Sequence, residues 1–119
     1  MDAEVRNFFE LVPRQRRQFE ELNDGTVDVL MPRYGENAIS RVLRSVLNNR
    51  PVRVHLDDVG TTVWHLCDGR RSVEDIGRSL EGRFGERLEP LYDRLAQFID
   101  QMQRTGLIEW ANEGSSSQR

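Results

Sequence analysis

The chain contains no lysine and a single cysteine. Cys67 therefore cannot form an internal disulfide, and multi-cysteine zinc sites are excluded. Histidine is as scarce: there are two, His55 and His65. The run "HLC" at 65–67 offers two metal ligands at most, where zinc normally takes four. No metal and no other cofactor is expected. No apolar run approaches the ~20 residues of a membrane-spanning helix. The start, "MDAEVRNFF", lacks the basic-then-apolar order of a secretion signal. The expectation is a cytoplasmic protein that does not engage a membrane. A Gly-rich phosphate loop and a nucleophile motif are missing too, so no catalytic residue is assigned and an enzyme is not expected. The acidic pairs Asp57–Asp58 and Glu74–Asp75 fall where helices begin, and the helix dipole accounts for them there.

What is present is a 119-residue chain of net charge −3, enough for one domain with a modest core. All 17 basic residues are arginine, which reads first as codon bias. The cluster "RQRR" at 14–17 precedes a strand rather than lying on a reading helix. A nucleic-acid partner needs cations that neutralise phosphates, and no such footprint is visible.

Punctuation divides the chain clearly. Residues 1–16 read as an N-terminal extension, with Phe8–Phe9 as an apolar pair and Pro13 as a helix stop. "RQFEELNDGTVDVLM" (17–31) places a turn signal between two strand candidates, a β-hairpin. "ENAISRVLRSVLNN" spaces Ile39, Val42, Leu43, Val46 and Leu47 at three and four, an amphipathic helix over 36–48. After Pro51, "VRVHL" alternates strictly: Val52, Val54 and Leu56 on one face, Arg53 and His55 on the other.

Three helices follow. Asp57 or Asp58 caps the first, with Val59, Val63 and Leu66 on one face and Trp64 beside Gly60. "CDGRR" supplies Gly69 for a left-handed turn position. Ser72 caps the second, with Asp75 in a capping-box position that its short side chain is expected to half-fill. Val73, Ile76, Leu80 and Phe84 form its stripe, and Gly85 stops it. The third starts at Pro90 and repeats Leu91, Leu95, Phe98, Ile99 and Met102 up to Gly106. "LIEW" returns as a short strand or a wing, and 111–119 read as a polar tail. The fold class is therefore α+β. An N-terminal three-stranded antiparallel sheet packs on three helices, winged helix–turn–helix in style, with a helix inserted between strands two and three. The domain spans 17–110.

The ordered set "VWxLxDGxxSVxDI" (63–76), followed by Leu80, Phe84 and "FIDQMQRTGLI", resembles the PqqD family of peptide-binding proteins, also called RiPP recognition elements. The resemblance covers about residues 52–110. It implies a non-catalytic peptide chaperone of biosynthesis that binds a precursor's leader peptide and presents it to a modifying enzyme, of radical SAM type. It also implies that the leader adds as a strand against 52–56, in a groove bordered by the third helix. The peptide-binding candidates are then Val52, Arg53, Val54, His55 and Leu56 on the strand. On the helix they are Tyr92, Arg94 and Phe98, with Tyr92 and Phe98 on opposite flanks of the stripe and one of them lining the groove. Arg53 or Arg94 meets an acidic leader residue. The inserted helix has two open uses, a cover for the groove or a homodimer contact. Two other readings stand beside this one: a winged-helix DNA-binding regulator, and a diverged protein–protein adaptor.

Overall fold

The computed structural model describes residues 8–32 and 52–112. The helix read over 36–48 lies outside the described residues. Among the described residues, two antiparallel sheets and three α-helices, preceded by a helical stretch at residues 8–10, make up the α+β fold. The strands are β1 (Pro13–Gln15), β2 (Phe19–Glu21), β3 (Val27–Met31), β4 (Val52–Leu56) and β5 (Ile108–Trp110). The helices are α1 (Asp58–Leu66), α2 (Val73–Phe84) and α3 (Leu91–Arg104), with a 3-10 turn at Gly85–Leu88 between the last two.

The hairpin forms as its sequence requires. Leu22 N donates to Thr26 O at 2.8 Å, Asp24 Oδ1 accepts from Thr26 N, and Gly25 takes φ +89°, which only glycine adopts freely. The sheet order is β2–β3–β4. Its core face carries Phe19, Val27 and Val29, and the two valines are fully buried. Thr61 ties this sheet to α1: its buried hydroxyl accepts from Val27 N at 3.1 Å and donates to Leu56 O at 3.2 Å. A buried amide that lost this partner would go unsatisfied.

Asp57, not Asp58, is the α1 cap, accepting from Gly60 N at 2.8 Å. Asp58 instead bonds Val59 N and pairs with Arg87 at 3.0 Å. The inward face of α1 is Gly60, Thr61, Val63 and Trp64; Val59 and Leu66 are half-buried at its margins. Trp64 is completely buried with its ring 5.7 Å from that of Phe19. Gly60 does not serve Trp64 as the spacing suggested. A side chain there would meet Phe98, Leu56 and Asp57, each at 3.3 Å, so the glycine admits α3 against the end of β4.

The Ser72 box is complete rather than half-filled: Asp75 N donates to Ser72 Oγ and Ser72 N to Asp75 Oδ2, both at 3.1 Å. Aspartate reaches back despite its shorter side chain. On α3, Leu91, Leu95, Ile99 and Met102 are buried and Phe98 is half-buried. Leu107 N closes the helix end onto Met102 O at 2.8 Å, with Gly106 at φ +87°.

"LIEW" resolves to a strand, β5, and its partner is β1 from the other end of the chain. Residues 11–16, read from sequence as extension, are laced into the fold. Val73 N donates to Leu11 O, Gly69 N to Pro13 O, Gln15 N to Cys67 O and Arg16 N to Leu107 O. Residues 111 and 112 are anchored as well. Ala111 N bonds Val12 O, and the Asn112 amide bridges Val12 N and Glu10 O.

Candidate functional site: the β4 edge and its groove

The register of β2 on β3 determines which way each backbone group on β4 points. Leu30 N donates to Gln18 O and Leu22 N to Thr26 O. In an antiparallel ladder the hydrogen-bonding direction alternates along a strand. Thr26, Asp28 and Leu30 thus bond toward β2, and Val27, Val29 and Met31 face β4. Their partners are Leu56, Val54 and Val52. The N–H and C=O of Arg53 and His55 are left turned outward. Among the described residues β4 pairs on one side only, and those outward groups have no strand partner.

The side chains divide by the same alternation. Arg53 and His55 lie on the outer sheet face, where Asp28 and Glu20 take them up. Arg53 pairs with Glu20 and, at 3.1 Å, with Asp28 Oδ2; His55 Nδ1 lies 2.9 Å from Asp28 Oδ1. The His55 hydrogen bond, reinforced by Arg53, holds the Asp28 carboxyl below the ordinary aspartate value. On the inner face, Leu56 is buried and Val54 half-buried, while Val52 is 42% exposed. Of the expected apolar face, Leu56 is in the core and Val54 packs against it, and only Val52 stands out from it. Exposure on this face rises from Leu56 to Val52.

At that buried end a groove of about 350 Å³ opens between α1, the 3-10 turn and α3. Val59, Val63, Leu80, Leu88, Leu91, Leu95 and Phe98 give it apolar walls; Asp57, Arg87 and Arg94 add polar groups. Phe98 joins groove to strand through Gly60, whose missing side chain leaves the space that the Phe98 ring tip and Leu56 border from two sides. Arg87 is already paired with Asp58. Arg94 is exposed and has no ion-pair partner among the described residues.

Of the eight site candidates, the structure brings six together: Val52, Arg53, Val54, His55 and Leu56 form the strand, and Phe98 packs at its end. Arg94 lines the groove beyond. Tyr92 is on the other flank of α3. Its ring covers Gly77, where a Cβ would come within 2.3 Å of Tyr92 Cε1, and stacks edge-on with Phe9 at 5.9 Å. Leu88 and Val59 were missed. Leu88 follows a helix-stopping glycine in a four-residue turn, too short to show a period.

Burial dominates the Cys67 thiol and pushes it up to about 12, so it stays protonated. No group of three or more metal-ligating side chains exists among the described residues. No helix among them is long and apolar enough to cross a membrane.

No protein of curated function and no solved structure matches the chain. A family profile described as coenzyme PQQ synthesis protein D (PqqD) matches residues 44–108, more than half of the sequence, and these include β4, all three helices and the groove between them. The chain belongs to the PqqD family.

Proposed function

We propose that this protein binds the leader of a ribosomally made precursor peptide as an added strand on β4 and hands it to a modifying enzyme, of radical SAM type. The observation that carries the reading is the outward-turned backbone of Arg53 and His55 beside an apolar groove. An extended peptide can satisfy those groups with main-chain hydrogen bonds, and alternate side chains can then fill the space under the sheet. Its residues opposite Val52 and Val54 face inward, where both valines still have surface to cover. Residues opposite Arg53 and His55 face outward over the charged network. The peptide contributes a strand and the protein contributes no chemistry, which fits an accessory role in biosynthesis rather than catalysis.

An NMR titration tests it, with the leader of a precursor encoded beside this protein as ligand. Amide shifts should concentrate at residues 52–56 and 91–102. Shifts elsewhere only, or no binding at high micromolar peptide, would remove the assignment.

A further inference from the structure

Resting on that strand-addition reading, we propose that the site selects a particular leader pattern. It comprises apolar residues at alternate positions, the last of them seated in the groove at the end of β4, and a carboxylate within two residues of that anchor to pair with Arg94.

The alternation follows from the backbone parity of β4. Inward positions of an added strand recur every second residue and lie opposite Val52, Val54 and Leu56. The strand then ends, because Asp57 is committed to capping α1. Asp57, the residue after β4, lines the groove, so the groove begins where the strand ends. Beside Asp57, Arg87 and Arg94 the walls are branched aliphatic side chains and Phe98, and about 350 Å³ gives ample room for a leucine or phenylalanine side chain.

The carboxylate follows from the accounting of charge. Three arginines are near the path. Arg53 is bound by Glu20 and Asp28, and Arg87 by Asp58. Asp57 keeps its charge but is turned by its cap bond to Gly60 N, and it makes no ion pair with Arg94. Arg94 is left with its charge uncompensated by any described residue, one helical turn before Phe98 and on the same flank of α3. Its planar fork suits a carboxylate. Exposed pairs of this kind change affinity little, so the expected effect is a preference of about two- to five-fold, while the anchor supplies most of the binding.

Phage display of random twelve-residue peptides against the folded protein is the test, run in parallel on the wild type, Arg94→Glu and, as a control, Arg83→Glu. Arg83 is exposed on α2 and lines a different cavity. The wild type and Arg83→Glu should enrich alternating apolar residues with Asp or Glu within two positions of the last one. Arg94→Glu should keep the apolar pattern and exchange the acid for Lys or Arg. If the wild type enriches the apolar pattern without an acid, or Arg94→Glu keeps the acid, the charge pairing is wrong while strand addition stands. If no peptide is enriched, or enriched peptides leave the amides of 52–56 unshifted, strand addition itself falls and takes this inference with it.

Discussion

Replacing Thr61 by valine keeps nearly the same shape and removes one hydroxyl. That hydroxyl accepts from Val27 N and donates to Leu56 O, joining the last residue pair of the β3–β4 ladder to α1. The residue is 6% exposed, so water cannot readily replace the lost partner. A buried amide left unsatisfied costs about 1–3 kcal/mol. Thr61→Ser is the control. It keeps both hydrogen bonds and loses one methyl, at about 0.8 kcal/mol. Urea unfolding followed by tryptophan emission reads the difference, since Trp64 is fully buried in the folded state. Thr61→Val should be the less stable of the two variants. A valine variant as stable as the wild type would show that the bridge contributes nothing, and that β4 is placed by apolar packing alone.

Two glycines on α2 should respond oppositely to alanine. At Gly82 nothing lies within 4 Å of the added Cβ, so Gly82→Ala should stabilise by about 0.5–1 kcal/mol in thermal melts. At Gly77 the Cβ would strike Tyr92, and the cost of displacing the ring, about 1–3 kcal/mol, should outweigh that gain. Phe98→Ala should weaken leader affinity about tenfold by calorimetry, roughly 1.4 kcal/mol for the ring surface that a peptide would cover. Tyr92→Ala should lower stability and leave affinity unchanged. The Cys67 thiol should resist a disulfide reagent at pH 8 in the folded protein and react at once in denaturant, because burial keeps it protonated.

Much of the scaffold was legible in residue order because local rules dictate it. Pro51 and strict alternation bounded β4, and the glycines at 69, 85 and 106 marked chain reversals that need positive φ. Long-range features were not legible. The β1–β5 pair joins three-residue strands, with Arg14 and Glu109 95 positions apart, and so short a strand carries no readable period. Helical periodicity placed Tyr92 and Phe98 symmetrically about the stripe of α3. Other elements break that symmetry: Gly77 on α2 receives Tyr92, and Gly60 on α1 receives Phe98. The pattern of "VRVHL" likewise gave the faces of β4 but not the exposure of Val52, because alternation says which face a residue is on and not what packs against it. That Arg53 is held by acids on β2 and β3 was not legible either, because Glu20 and Asp28 are brought beside it only by the sheet.

The most direct test is hydrogen exchange at single amides of β4, with and without a leader peptide. Val52, Val54 and Leu56 already face β3, whereas Arg53 and His55 face outward. Strand addition therefore predicts that peptide slows exchange at Arg53 and His55 far more than at the three residues between and beside them. Uniform slowing along β4, or protection confined to α3, would contradict pairing at this edge.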